Sequence, residues 1–502
     1  MSPDLPPPRL AGRLLLKGFL GGIAILCLTS AAVASAVLLQ VDSIGDGIRL
    51  TPPAKFEVGV IAEAEPGAPQ TLLIVGSDKR YGAEKDEVRS DTLMLVRLDP
   101  KQEATSILNV PRDLAVDIPG YGRRKINEAY RLGGLNLITK TVRATLGLEE
   151  INHAMAVDFK GFRKVVNTLG CIYTDVDRRY FNDNTGPGPD YAVIDVEPGY
   201  QRLCGERGLE YVRYRHGDTD LVRSARQQRF LRDAKDQVST SQLFDNYPEL
   251  IRIFGRSTQT DPSLQKNKQV LRLLEQAGLS ARKPVRQIPF PADVQDDDTT
   301  YLGAFVTADP GRIEKARARF LSSTRYEEKL VRPKVVKDGA KRARQGKKTT
   351  LEDFGLVDAG REGRQAVAPI RGKVDFPVYI PRGLKPGSRW APAPSTPRAY
   401  ELRDRAGKPH DAYRLVFTED AVRGDYYGVQ GTTWMSPPIL TAGAETLRMR
   451  GRDYRLLYDG KKLRIVAWQT KSATYWVTNT LGLALTNTEM LGIARSLTRA
   501  GA

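Results

Sequence analysis

From Thr71 onward the chain falls into short apolar runs divided by turn residues, and the spacing within those runs changes along its length. Thr71-Leu72-Leu73-Ile74-Val75 is continuous apolar sequence ending in Gly76-Ser77-Asp78, the pattern of a strand buried on both faces. Asp91–Leu98 and Ala104–Val110 repeat it on either side of Asp99-Pro100, which predicts two further strands joined by a turn. Helical spacing follows. Ile126–Leu132, Leu135–Leu146 and Phe159–Leu169 carry apolar residues three and four apart, with Gly147 and Gly170 as stops. Strands interleaved with helices predict an α/β domain over residues 71–325. Beyond residue 350 the sequence turns rich in Pro, Gly, Tyr and Trp, with short alternating runs such as Leu463–Ala467 and Thr474–Val477. These predict a smaller β-rich domain over 351–502, closed by a helix near Asn487–Arg499 that Asn487 or Thr488 would cap ahead of Glu489.

Before the first strand the pattern is of another kind. Gly18–Leu39 holds no charged residue and is long enough to cross a bilayer as a helix, which takes roughly 20 apolar residues. Arg9, Arg13 and Lys17 precede it, so the positive-inside rule places residues 1–17 in the cytoplasm and the rest of the chain outside the cell membrane. The small residues Ala31–Ala36 offer a signal-peptidase site as the alternative, but the apolar run exceeds the roughly 7–15 residues of a signal peptide's core and favours a retained anchor. Residues 40–70 read as a stalk. Residues 326–350 read as a basic linker, with nine Lys or Arg against one Asp between Lys329 and Lys348.

Charge narrows the partners without naming one. Among 502 residues, 77 Lys and Arg face 59 Asp and Glu, a formal charge of +18 that attracts polyanions or an anionic membrane. The basic regions follow the apolar segment, which argues against nucleic acid as the partner. The sequence has no G-x-S-x-G elbow, P-loop, H-E-x-x-H or C-x-x-C, and its histidines, His153, His216 and His410, stand far apart. Serine-triad and zinc chemistry are thereby disfavoured. Of three cysteines, Cys27 lies in the apolar segment; Cys171 and Cys204 are open to a disulfide in an oxidising compartment or to a pair of buried thiols.

What remains is a set of carboxylates and arginines at predicted strand ends, where open α/β sheets place ligands. Asp78 follows the first strand, Arg89 and Asp91 open the second, and Arg112 and Asp113 follow the third. Two carboxylates without histidine suit a hard cation such as Mg2+. Taken singly, each aspartate reads as a turn or cap residue; the combination carries the case. A second cluster, Tyr211-Val212-Arg213-Tyr214-Arg215, precedes a helix opened by Asp220, whose Phe230, Leu231, Ala234 and Val238 are expected to face inward. Arg223 and Gln227, four apart, share one face near its N-terminus, a position that favours an anion. Arginine forks bind phosphate oxygens bidentately, and at an effective dielectric near 20 each contact at 4 Å is worth on the order of 4 kcal/mol before desolvation.

Gly76-x-Asp78-x-Arg80, Arg89-Ser90-Asp91-Thr92, Pro111-Arg112-Asp113, Lys125-Ile126-Asn127-x-Ala129-Tyr130, Gly133-Gly134, Tyr211-x-Arg213-x-Arg215 and Asp220–Gln228 together resemble the LytR-CpsA-Psr family of cell-wall glycopolymer ligases. The resemblance spans about Thr71–Val238. It implies a mixed central sheet flanked by helices, and a transferase that moves a glycan from a polyprenyl-pyrophosphate carrier to a hydroxyl of peptidoglycan. It further implies Asp78 and Asp91 as Mg2+ ligands, Arg89, Arg112, Arg213, Arg215, Arg223 and Gln227 as a pyrophosphate clamp, and Asp113 and Asp220 as supports. Of these, Asp91, Arg89, Arg112 and Arg215 are the expected catalytic residues. Asn109, where the family has serine, and Cys171, where it often has glycine, depart from the pattern and are expected to lie clear of the clamp. The Phe159, Phe162, Val165, Val166 and Leu169 face suits either a lipid groove or core packing. The competing reading is a non-catalytic, membrane-tethered glycan-binding or wall-binding protein.

Overall fold

In the structure, a computed structural model, residues 53–77, 90–101, 105–185, 192–215, 218–239, 258–266, 285–295, 305–322, 349–392, 396–421, 423–440, 444–449 and 451–500 are described, with scattered positions between 240 and 284. Asp78, Arg80, Arg89, the apolar segment 18–39 and residues 326–348 of the basic linker lie outside the described residues. Among the described residues no helix is long and apolar enough to cross a membrane.

The apolar runs form β1 (Gln70–Ser77), β2 (Ser90–Leu98) and β3 (Thr105–Val110). A hairpin of β4 (Ala115–Ile118) and β5 (Gly122–Lys125) leads into α1 (Glu128–Leu146). The two predicted helical stretches are joined in α1 by a break at Gly133 and Gly134; Gly134 sits at φ +62°, where a side chain would be strained, and Gly147 closes the helix in the left-handed conformation. Next come β6 (His153–Asp158), α2 (Phe159–Thr168), β7 (Ile172–Val176) and β8 (Gly199–Leu203). They are followed by α3 (Gly205–Arg213), α4 (Asp220–Gln237), β9 (Thr258–Thr260), β10 (Val285–Ile288) and α5 (Pro310–Leu321).

Six strands form the central sheet in the order β9-β6-β1-β2-β3-β10. The sheet is mixed, since β1 runs parallel to β6 and β3 to β10 while the other pairs are antiparallel. Leu73, Val75, Leu95 and Leu108 on the sheet and Leu135, Ile138 and Val142 on α1 share one core. Residues 53–69 lie against this domain: Ala54 N–H donates to Thr260 O and Lys140 pairs with Glu57 Oε2 at 2.8 Å.

The carboxy-terminal domain is built on β11 (Pro409–Asp420), β12 (Asp425–Thr432), β13 (Glu445–Met449), β14 (Arg452–Asp459), β15 (Lys462–Gln469) and β16 (Thr474–Thr478). They run β11-β12-β16-β15-β14-β13, and the short strands Arg389–Trp390 and Arg398–Arg403 pair with β11. The alternation expected of Thr474–Val477 is not what burial shows: all five positions of β16 and the six interior positions of β15 are buried. Both faces of this sheet are covered, one by α6 (Asn487–Ser496) and the other by the α/β domain. The cap of α6 falls one residue earlier than expected. Thr486 accepts from Glu489 N–H while the Glu489 carboxylate accepts from Thr486 N–H, a reciprocal box that outcompetes Asn487 or Thr488. The helix ends at Ser496, and Leu497–Arg499 continues as a strand beside Tyr379–Pro381.

The two domains share a core. Tyr173 and Tyr200 of the α/β domain pack with Trp434, Ile465 and Trp476, and the Tyr200 and Trp476 rings meet edge to face at 5.5 Å. Within this apolar junction Asp175 is ion-paired to Arg414 at 2.9 Å and accepts from Trp476 Nε1 at 2.8 Å.

Candidate functional site

Next to the central sheet a cleft of about 270 Å³ opens where β1, β2 and β6 meet α2, α3 and α4. Its wall is almost wholly apolar. Phe159, Phe162 and Val165 of α2 line it, while Val166 turns into the core behind, so the face that the sequence left open between groove and core is split between the two. At 3.6 residues per turn, Arg223, Gln227, Phe230 and Leu231 fall within a stripe roughly 100° wide on α4, and all four line the cleft. Leu231, expected to face inward, is 38% exposed because its stripe borders this opening.

Polar groups gather at one end. Arg213, the last residue of α3, reaches the cleft with its guanidinium 4.8 Å from the Phe159 ring centroid. Arg223 is buried, and Gln227 Nε2 donates to Val212 O at 3.2 Å, tying α4 to the end of α3. Gly76 and Thr92 form the adjacent wall. Here the ladder is irregular: Gly76 pairs with Thr92 but Ser77 pairs with Ser90, leaving Asp91 as an extra residue. Such a bulge re-aims a side chain at a strand end. The Asp91 backbone therefore stands beside the end of β1, from which the chain continues to Asp78; their side chains lie outside the described residues.

Arg213, Arg223 and Gln227 thus come together at one cleft, whereas Arg112 and Arg215 are not among the residues lining it. Arg112 is buried just past β3, its Nε 3.3 Å from Asp113 Oδ2, and Asp113 also faces Lys125 Nζ at 3.8 Å. Arg215 is exposed beyond α3. Asp220 is the first residue of α4, and Thr219 caps the helix. Asn109 Nδ2 reaches Ser224 O, next to Arg223, at 3.5 Å. Asp158, which the sequence reading did not single out, lines the cleft and caps α2 by accepting from Gly161 N–H; its place before Phe159 is the ordinary signature of a helix cap. Cys171 and Cys204 are disulfide-bonded with Cα atoms 4.4 Å apart, joining the start of β7 to the residue before α3.

Behind the cleft, α4 presents a second row of charges. Arg226 is fully buried, bonded to Asp218 and donating to Tyr214 O at 2.5 Å. Burial opposes its charge, yet Tyr180 and Asp218 more than offset this and its pKa is raised. Burial also pushes the Asp177 carboxyl up, against the pull of Arg178. Among the described residues no three His, Cys, Asp or Glu form a cluster able to hold a metal ion.

An open α/β sheet with an apolar cleft that ends in arginine and amide donors defines a class of site, one for an amphiphile with an anionic head. The profile of the LytR_cpsA_psr family matches residues 48–315, more than half of the chain, and the protein belongs to that family. It is 28% identical over 255 residues to the polyisoprenyl-teichoic acid–peptidoglycan teichoic acid transferase TagT of Bacillus subtilis, covering 50% of this chain and 78% of TagT. With TagU of Enterococcus faecalis, a transferase of the same description, identity is 29% over 40% of this chain and 64% of the relative. With the regulatory protein MsrR of Staphylococcus aureus it is 32% over 38% and 56%. The chain thus spans between about half and four fifths of the length of these relatives. Among solved structures, TagT bound to LI-WTA superposes with a TM-score of 0.43 at 25% identity, over 54% of this chain and 96% of that one.

Proposed function

We propose that the protein is a membrane-anchored transferase that moves a glycan from a polyprenyl-pyrophosphate carrier to a hydroxyl of peptidoglycan on the outer face of the cell membrane. The observation that carries this reading is a cleft in which an apolar wall from α2 is joined by Arg213, Arg223 and Gln227. Family membership and the teichoic acid transferase names of two relatives support it. The prenyl chain lies along Phe159, Phe162 and Leu231, each buried methylene contributing roughly 0.8 kcal/mol. The pyrophosphate sits at the other end, where arginine forks match its oxygens.

The wall hydroxyl oxygen forms a bond to the glycan-side phosphorus, the bond from that phosphorus to the bridging oxygen breaks, and prenyl monophosphate leaves. Arg213, Arg223 and Gln227 stabilise charge on the phosphate oxygens, and Arg112 and Arg215, which lie off the cleft, join them only by turning toward it. Asp91 takes the hydroxyl proton. In the sequence Asp78 follows β1 directly and Asp91 lies at the start of β2, and two carboxylates are the oxygen donors that Mg2+ prefers. Asp78 and Asp91 would hold Mg2+, which would supply charge neutralisation at the phosphates. Residues 18–39 act as the retained anchor, which keeps the cleft near its lipid carrier. The test is transfer from a synthetic prenyl-pyrophosphate glycan to peptidoglycan by the purified protein with and without Mg2+. Transfer that depends on the cation and on Asp91 is expected, and an intact Asp91→Ala enzyme would sink the mechanism.

A further inference from the structure

The carboxy-terminal domain touches α4 along its length, on the faces that the cleft leaves free. At the front of the helix, the turn between β11 and β12 presses on Val222. Gly424 there has φ +70°, and a Cβ at that position would lie 2.8 Å from Val222 Cγ2, so conformation and contact both require glycine. Two residues on, the Tyr426 ring lies 5.1 Å from the Arg178 guanidinium, which Tyr180 and Tyr214 also face at 4.6 and 5.5 Å. Arg178 is paired to Asp218, and Asp218 to Arg226. The cage therefore closes on both ends of the segment that links Arg213 and Arg215 to the first turn of α4. Further along, Arg232 Nη2 donates to Asp459 Oδ2 at 2.6 Å and Arg464 Nη1 lies 3.7 Å from Asp233.

We propose that the carboxy-terminal domain is a positioning element of the cleft, and that Tyr426 and Arg178 are positioning residues that hold Arg213, Arg223 and Gln227 in register for an anionic head group. This rests on the pyrophosphate reading above. Neither residue lines the cleft; each acts through Asp218 and the start of α4. The physical reason for such a brace is preorganisation. Donors on two separate helices bind one diphosphate well only if their spacing is fixed beforehand, and a displacement of about 1 Å costs on the order of 100-fold in rate.

The test uses the full-length protein in detergent with geranylgeranyl pyrophosphate as probe, and the variants Tyr426→Leu, Tyr426→Phe and Arg223→Ala. Leucine keeps apolar bulk and removes the ring face; phenylalanine keeps the ring. Tyr426→Leu should weaken probe binding about tenfold and speed amide exchange over residues 213–227, leaving exchange in β1 and β6 unchanged, and Tyr426→Phe should restore both. Parental binding with unaltered exchange in Tyr426→Leu overturns the proposal, as does a loss that phenylalanine does not restore. If Arg223→Ala binds the probe like the parent, it is the pyrophosphate reading that fails. Positioning is then judged by exchange alone: faster exchange at 213–227 in Tyr426→Leu sustains it, and unchanged exchange ends it.

Discussion

On one face of α4, Arg223 and Gln227 look into a cleft with an apolar wall; on the other, Arg226, Arg229 and Arg232 are sealed against neighbouring elements, with Asp218, Asp233 and Asp459 beside them. Buried arginines stand on both faces, and what differs is whether they border the cleft. A guanidinium that borders an apolar cleft can turn from its present contacts to phosphate oxygens when a ligand enters. Arg226, locked between Asp218 and the rings of Tyr180, Tyr211 and Tyr214, does not border the cleft and contributes to fixing the geometry of the helix. The net charge of +18 therefore mixes two populations, and only their placement on the helix separates them.

The comparison breaks most sharply at the junction. Asp175→Ala strands Arg414 and Trp476 Nε1 in a buried site, and removing one partner of a buried pair costs about 3–5 kcal/mol. Thermal or urea unfolding should show that loss. Arg223→Ala, on the other face, should cut transfer by roughly 100-fold or more, about 3 kcal/mol of transition-state stabilisation, with a far smaller change in unfolding. Were Arg223→Ala to unfold the protein while sparing activity, the two faces would have been assigned the wrong way round.

The first part of the α/β domain was legible in the sequence because β1 and β3 are largely buried on both faces and α1 stops at Gly147. The meander β1 to β3 and the break at Gly133-Gly134 follow from those local signals. The cleft was partly legible: the Arg223 and Gln227 spacing and the α2 stripe pointed to it, while Asp158 looks like any helix cap and Asn109 contacts α4 across 115 residues of sequence. The junction was not legible. Arg226, Arg229 and Arg232 continue from Arg223 at intervals of three, which walks around the helix and reads as a solvated surface. Arg226 is covered by Tyr180, Tyr214 and Asp218 within the domain, and Arg232 by Asp459 of a sheet far along the chain. For the same reason β16 lacks the expected alternation, since the α/β domain covers the face that an isolated sheet would leave to water.

Two smaller effects sharpen the division. Leu231→Glu sets a charge at the apolar mouth and should weaken binding of a long prenyl pyrophosphate about tenfold, roughly 1.4 kcal/mol, while a five-carbon analogue and the unfolding transition stay unchanged. Equal loss for both chain lengths would place Leu231 at the head group instead of the tail.

The smallest effect concerns Asp177, which accepts from Tyr180 O–H at 2.6 Å and whose carboxyl burial holds above its ordinary pKa. Because the native state binds this proton more tightly than the unfolded chain, the stabilisation it gives is complete below the unfolded value of about 4 and is lost as pH rises through the raised native value. Asparagine keeps an acceptor for Tyr180 and carries no charge at any pH. Asp177→Asn should thus match the parent in unfolding below about pH 4 and exceed it near neutrality, with the gap opening as the parent's carboxyl ionises. A gap of the same size at both ends of that range would mean that the substitution acts through packing, and that the charge on Asp177 does not load the junction behind α4.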